Sequence, residues 1–549
     1  MTVPSPSLQP TGERFRRTPD RFAVLFLGLG VLALHVAWLA LDEQPQVWDM
    51  AHHQIRGWES LQALNAGRLP EDFSSLSSYY PPLYYLQEMV VLSLWPNRDA
   101  LVFLSNLPGL VMLFGGVWWL ASRCLTRGAA PWAALLAWCF PLVAWTSRFS
   151  LLDVALGGWV MLALCLVAKS RHLERKGYSL LLGLVIAAGM LTKWTFILFL
   201  AFPLVWALVR SRDRKRSLLN LVDAGLVAAP LVFWWYLPNA RNLMERFALT
   251  MQAAGWEQDP GLESLLGWLY YPRSLASYYL FLPLTALFVL GSFLKSDRNR
   301  DRPPEASLIR WTFWGGLFLL TMLEAKDPRY VLPLAGPLAI LILLPWDRRQ
   351  WVVRLAAALA FLQFLAVSFS LPLVPGKLAL FQVPEDGDYR GAGREWVLFA
   401  PGYFDVAGPP RRENWRHREI LEQIPEGARI GFVPDLAHYH MLALRLQALE
   451  SGRELEVVRV GQSAASLELL DRVQAVVGKT GHQGISYLTT FNQAVYERLE
   501  QSGWRVTRRW SLPDGTEALL WLPSGPPEGL DSGRPLSAVS PIRAGPPRS

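Results

Sequence analysis

Residues 22–41 read FAVLFLGLGVLALHVAWLAL, with no charged side chain, and the chain continues DEQPQVWDMAHHQIRGW through residue 58. At about 1.5 Å rise per residue, a helix over this run crosses a hydrocarbon core roughly 30 Å thick. The LALDEQPQ that closes it offers no small-residue cleavage site, so the run reads as a retained membrane helix and not as a signal peptide. Similar apolar runs recur from about residue 100 to 371, which predicts a polytopic α-helical membrane protein of about eleven transmembrane helices. Leu83–Trp95 is the exception: it is too short to span unaided and carries Glu88, so it reads as a helix lying at the interface or dipping into it.

The composition agrees. Of 549 residues, 52% are hydrophobic and only 18% charged, with 25 Trp. The formal charge of +8 is not a nucleic-acid footprint, because in the apolar region Lys and Arg fall in short blocks between hydrophobic runs. Orientation in a membrane requires that pattern and DNA binding does not. If Leu83–Trp95 does not span, the basic blocks Arg123–Arg127, Lys169–Lys176, Arg210–Arg216, Lys295–Arg310 and Arg348–Arg354 fall on one side with Arg14, Arg16, Arg17 and Arg21. The positive-inside rule then makes the amino terminus cytoplasmic and puts the loop around Asp49 outside.

The expected organisation is a cytoplasmic tail at 1–21, a membrane domain at 22–371 with a first outer loop at 42–99, and an extracytoplasmic α/β domain at 384–523. ARIGFVPD, ELEVVRV and QAVVGKT read as strands of that domain, alternating with helical stretches. Residues 524–549 are rich in Pro, Gly and Ser and read as disordered. Cys124, Cys139 and Cys165 lie in or beside apolar runs, so no disulfide framework is available.

Few residues can carry chemistry in such a chain. Moving a sugar off a phospholipid carrier needs a carboxylate to take the acceptor's proton and cations to stabilise the departing phosphate. Asp49, next to Trp48 just beyond the first helix, suits the first task; the alternative is a solvated loop acid. His52 and His53 follow three and four residues on, so on a helix they share its face. They either orient the carboxylate, hydrogen-bond within the loop, or are the weak candidates for a divalent metal; no cofactor is required by the chemistry. Asp153 in RFSLLD needs a polar cavity or a partner, and Arg148, five residues back, is a candidate for an ion pair. Lys193 in GMLTKWTF and the pair Lys326 and Arg329 in EAKDPRYVLP are candidate phosphate cations, with snorkelling and an ordinary charged loop as the plain readings. GxxxxGK[ST], HExxH and CxxC are all absent, which removes the machinery of an ATP-driven pump or a zinc protease.

The order WD, YPPLYY, RFSLLD, LTKW and KDPRYVLP over residues 20–345 resembles the C-type glycosyltransferase superfamily, within it the protein mannosyltransferase-like group that includes the lipid A aminoarabinose transferase. The resemblance implies an inverting transfer from a polyprenyl-phosphate sugar to a lipid, glycan or protein acceptor outside the cytoplasm. It implies a bacterial-type inner membrane, Asp49 as the first outer acid and Asp153 as the second, and Lys193, Lys326 and Arg329 at the donor phosphate; beside them, His53, Tyr80 and Tyr84 are candidates for touching substrate or shaping the loop. Met50 stands where many relatives carry Glu, and Tyr80 where His is common. The alternative from another class is a lipid-linked sugar transporter or flippase, with Asp153 and Lys193 lining a pathway and no covalent change. Partners are the lipid-linked donor, the acceptor and membrane lipids, with no nucleic acid.

Overall fold

The computed structural model of the chain describes residues 19–69, 77, 79–256, 259–294, 303–369, 379–382, 395–397, 408–484 and 488–524. Most of the tail expected at 1–21 and nearly all of that at 524–549 lie outside the described residues. The chain divides into two compact units, Met1–Asn414 and Trp415–Ser549.

The first unit is mostly helical. Among the described residues, six segments are long and apolar enough to cross a membrane by length and composition: Asp20–Leu41, Arg98–Cys124, Leu152–Lys169, Arg214–Gln252, Leu265–Phe293 and Gln350–Phe369. Shorter apolar helices cover Leu83–Leu94, Lys176–Thr192, Phe196–Arg210 and Pro328–Leu343. Two of the apolar runs, at 131–147 and 218–237, depart in opposite directions from a single helix of spanning length. The run at 131–147 breaks at Cys139–Phe140 into Ala130–Trp138 and Pro141–Thr146, each opened by a Pro at its first turn, where the missing N–H costs nothing. The run at 218–237 extends into one helix, Arg214–Trp256, about 64 Å long at 1.5 Å per residue and so far longer than the core it crosses.

Several helices of this unit frame the site. α1 is Pro19–Leu41 and α2 is Trp48–Asn65, separated by only six residues. α3, Leu83–Leu94, packs on α2, and α4 is Arg98–Cys124. Asn97 caps α4, its Oδ1 accepting from the N–H groups of Asp99 and Ala100 at 2.9 and 3.1 Å. α5 and α6 are the two halves Ala130–Trp138 and Pro141–Thr146, and α7 is Leu152–Lys169. α4 and α7 touch backbone to backbone: a Cβ on Gly109 would sit 2.8 Å from Val154 O, and one on Gly158 2.7 Å from Gly109 O. Small residues at such a crossing let two apolar helices pack closely where hydrophobic force between them is absent. That contact fixes the start of α7, where Asp153 lies.

Beyond α7 follow α8 (Lys176–Thr192), α9 (Phe196–Arg210) and the long α10 (Arg214–Trp256). α11 (Leu265–Ser274) runs through a π-helical turn, Leu275–Leu280, into α12 (Phe281–Phe293). α13 (Pro304–Thr321) leads through the turn at 322–327 to a 3-10 segment, Pro328–Leu334, continued by α14 (Ala335–Leu343); α15 is Gln350–Phe369. Two short strands, β1 (Ala379–Gln382) and β2 (Glu395–Val397), pair antiparallel.

The second unit, Trp415–Ser549, is α/β. Its sheet has the order β4-β3-β5-β7-β6, with β3 (Arg429–Phe432) parallel to β4 (Glu456–Arg459) and to β5 (Ala475–Lys479). β6 (Trp504–Ser511) and β7 (Glu517–Pro523) complete it antiparallel. Ile430, Phe432 and Val477 face one apolar cluster, and Val433, Val460 and Val476 face the other. Both sides of the sheet are therefore buried, as apolar runs in parallel strands imply.

Candidate functional site

The site residues come from helix ends at one end of the first unit. Asp49 sits in the first turn of α2, Asp153 in the first turn of α7, Lys193 just past α8, and Arg329 at the start of the 3-10 segment. Tyr80 precedes the Pro pair that opens α3. Each is therefore placed by a boundary that its neighbours dictate: Pro81 and Pro82 before α3, and Pro328 at the first turn after the capping Asp327.

Asp327 is the residue whose part sequence reasoning missed. Its Oδ1 accepts from Arg329 N at 2.8 Å, and its Oδ2 from Arg329 Nε and Nη2 at 2.9 and 2.7 Å. The fork is thus held with its remaining edge toward Asp49, whose Oδ2 lies 3.3 Å from Nη2. Asp327 stands inside the same KDPRY block, so its closeness to Arg329 was legible, but not that it would clamp the guanidinium.

The Asp49 side chain is 53% exposed. Burial pushes its carboxyl up, but the Arg329 guanidinium, with His53 and His52 close by, outweighs that and holds it below the ordinary carboxylate range. His53 is buried and shares a hydrogen bond of 2.9 Å between its Nδ1 and the Tyr85 hydroxyl. Burial, reinforced by His52, pushes its imidazole down to about 3, so it is neutral at neutral pH. Tyr80 stacks edge-on to His53 with ring centres 5.1 Å apart, and Tyr79 to Tyr80 at 4.4 Å. Tyr79 reaches Thr250 on the far end of α10, hydroxyl to hydroxyl at 3.1 Å.

Asp153 and Lys193 form a buried ion pair, Oδ1 to Nζ 2.8 Å, with side chains 3% and 8% exposed. The Lys193 ammonium also lies 5.0 Å from the centre of the Tyr330 ring. Both His53 and Arg329 lie within the electrostatic reach of this pair. Arg148 is not the partner of Asp153. Its guanidinium turns the other way, 4.9 Å from the Trp38 ring and 5.6 Å from Phe364, and binds the Ser368 hydroxyl.

Two predicted residues sit apart from this cluster. Lys326 is 1% exposed, and its Nζ donates to the carbonyls of Thr321 and Leu323, capping α13. Burial lowers its pKa. Tyr84 is buried behind the site, its hydroxyl 3.4 Å from Asn106 Oδ1, while Asn106 Nδ2 holds the Phe149 carbonyl at 2.8 Å. It thereby braces the turn that leads into α7. As a metal site the histidines fit poorly: Tyr85 takes His53 Nδ1, and among the described residues no three His, Cys, Asp or Glu side chains converge.

No family model matches the chain. A stretch of 242 residues is 30% identical to the undecaprenyl phosphate-alpha-4-amino-4-deoxy-L-arabinose arabinosyl transferase of Erwinia tasmaniensis, covering 41% of this chain and 42% of that protein. The enzyme of the same name from Serratia proteamaculans is 29% identical over 222 residues, 38% of this chain and 39% of the relative. The match thus spans about two-fifths of these curated relatives. Among solved structures, ArnT from Cupriavidus metallidurans bound to undecaprenyl phosphate superposes with a TM-score of 0.59 at 15% identity, over 92% of this chain and 98% of that one. Its apo state gives 0.56 over 91% and 97%, at 16% identity. The fold is therefore that of ArnT, and these similarities uphold the resemblance to the C-type glycosyltransferases.

Proposed function

We propose that the chain is an inverting membrane glycosyltransferase that moves a sugar from a polyprenyl-phosphate donor to an acceptor hydroxyl on a lipid, glycan or protein. The observation that carries this reading is the contact between Asp49 and Arg329, 280 residues apart in the chain and 3.3 Å apart in space, beside a second acid–cation pair of the same kind. A base next to phosphate-binding cations is what such a transfer needs.

In the proposed step the acceptor oxygen attacks the anomeric carbon from the face opposite the phosphate. The bond from that carbon to the phosphate oxygen breaks, its electron pair leaves with the polyprenyl phosphate, and the acceptor's proton passes to Asp49. In the resting site Arg329 depresses the basicity of Asp49. An arriving phosphate competes for the free edge of the guanidinium, which Asp327 keeps in place. Asp49 then loses its counter-charge and becomes a stronger base when the donor is present. Lys193 adds positive charge while holding Asp153, and Lys326 supports the site from behind by shaping the turn at 322–327. The names of the curated relatives favour undecaprenyl phosphate as the carrier and count against the transport reading.

The accompanying topology is about eleven crossings, with Leu83–Leu94 not among them, a cytoplasmic amino terminus, and the site and α/β domain outside. The test is transfer by purified protein from a panel of polyprenyl-phosphate sugars, followed by mass spectrometry. Asp49→Asn is expected to lower kcat by at least about a hundredfold; transfer at the wild-type rate would remove Asp49 as the base.

A further inference from the structure

α2 has no side-chain cap at its start. Its N-cap position is Val47, which offers no side-chain acceptor. The six-residue link from α1 is instead held from outside, at both of its ends and from two directions.

From one direction comes Arg98, the first residue of α4. Its Nη2 donates to Asp42 Oδ2 at 3.2 Å. With the Gln46 amide oxygen turned toward it, the same guanidinium donates from Nη2 and Nε at 3.0 and 3.1 Å. One planar fork therefore ties the first residue of the link to its fifth. From the other direction comes the segment Gly408–Glu413. Trp38 Nε1 donates to Gly408 O at 3.0 Å. Glu43 N donates to Arg411 O at 2.9 Å, and Arg411 N returns a bond of 3.1 Å to Asp42 Oδ1. Gln44 Nε2 donates to Glu413 Oε2 at 2.9 Å. Asp42, Gln44 and Gln46 are all buried, and the bonds described here bring them partners from outside the link. Surface loops do not ordinarily bury three polar side chains. Here they are spent on holding six residues in one shape.

We propose that Arg98 and the segment Gly408–Glu413 are positioning elements for Asp49, clamping the link that sets where α2 begins and hence where its carboxylate points. The inference rests on the glycosyl-transfer reading of Asp49. It also assigns a task to a segment some 360 residues away: the stretch that enters the α/β unit holds the entrance to the base. None of these residues touches the reacting atoms. A displacement of about 1 Å at a reacting group costs on the order of a hundredfold in rate, so loosening the clamp should act on turnover more than on binding.

The test uses full-length protein with Arg98→Ala, Arg98→Lys and Glu413→Ala. Two quantities are read: kcat and KM for the lipid-linked donor, and hydrogen exchange of the amides at 42–50. The expected result is a kcat lowered about tenfold to a hundredfold in Arg98→Ala and less in Glu413→Ala, with KM within about twofold and faster exchange at 42–50 in both. Arg98→Lys should recover only part of the rate, because an ammonium cannot span Asp42 and Gln46 as the planar fork does. Should Arg98→Ala fold poorly, Glu413→Ala decides, since Glu413 makes a single bond to the link, at Gln44, beside a looser pair of 3.8 Å with Arg411 in its own segment. Faster exchange with an unchanged kcat overturns the proposal, as does unchanged exchange, or a KM that rises by the factor kcat falls. A wild-type protein that transfers no sugar overturns the transferase reading instead, and the exchange data then still decide whether the clamp holds the link.

Discussion

The Asp153–Lys193 pair makes the sharpest quantitative demand. Two unit charges 2.8 Å apart attract by about 6 kcal/mol at an effective dielectric of about 20. Desolvation of both groups offsets much of that while both are present, so the pair adds little net stability against an apolar replacement. Removing one partner is different, because it leaves a buried charge without compensation, at a cost of about 3–5 kcal/mol. Lys193→Met is therefore expected to destabilise the protein by that amount, and Asp153→Leu likewise. The double variant Asp153→Leu with Lys193→Met should regain most of the loss; with about 3–5 kcal/mol lost in each single variant and about 1 kcal/mol in the double, the cycle gives a coupling of about 5–9 kcal/mol. Thermal unfolding of the detergent-solubilised protein measures the cycle, and donor binding is measured on the same four samples. If Lys193 also serves the donor phosphate, the double variant stays weak in donor affinity although its stability has returned. A loss below about 1 kcal/mol in Lys193→Met would refute the reasoning, since a pair so enclosed cannot be worth only what an exposed one is.

The pH profile separates the free from the loaded enzyme. Asp49 is held below its ordinary value near 3.9, so the rate carried by its ionised form is lost only as pH falls below that value in kcat/KM. In kcat, which reports the loaded enzyme, the acid limb should lie higher because the phosphate then neutralises the edge of Arg329 that faced Asp49; coincident limbs would count against that exchange. His53, pushed down to about 3, should add no ionisation between about pH 5 and 8, so His53→Gln leaves the shape of the profile unchanged there. At the α4–α7 crossing, Gly158→Ala puts a methyl 2.7 Å from Gly109 O and is expected to cost about 1–3 kcal/mol in thermal unfolding. Gly30→Ala, with open space around it, should cost nothing.

The membrane class and the site were legible to different depths. FAVLFLGLGVLALHVAWLAL announces a span because twenty uncharged residues have few other stable fates, and the five motifs could be ordered because each sits at a helix end. Pairing was the harder matter. Arg148 is five residues from Asp153 and Lys193 forty, yet Lys193 is the partner, because α7 starts between Arg148 and Asp153 and turns them to different neighbours. Lys326 and Arg329 look alike in EAKDPRY, but three residues place one on the last carbonyls of α13 and the other, past the capping Asp327, at Asp49. Nothing in the composition of residues 408–413 marks them as the partner of the link at 42–46. Backbone hydrogen bonds across that distance leave no trace in periodicity.

The two acid–cation pairs also bear on why such a site tolerates Met50 where relatives often carry a second acid. A lone carboxylate beside a guanidinium is a poor base, and a second acid would restore basicity by repulsion. Here the same end is reachable by competition: the phosphate of the donor is the strongest anion the site is proposed to meet, and Arg329 is fastened to Asp327 by two side-chain bonds but to Asp49 by one longer contact. The weaker contact is the one that yields. Asp327 keeps the guanidinium from following the phosphate out of register, and Asp49, no longer neutralised, gains proton affinity only when a sugar is in place to be transferred. On this reading the base needs no acidic neighbour, because the donor itself removes the charge that restrains it.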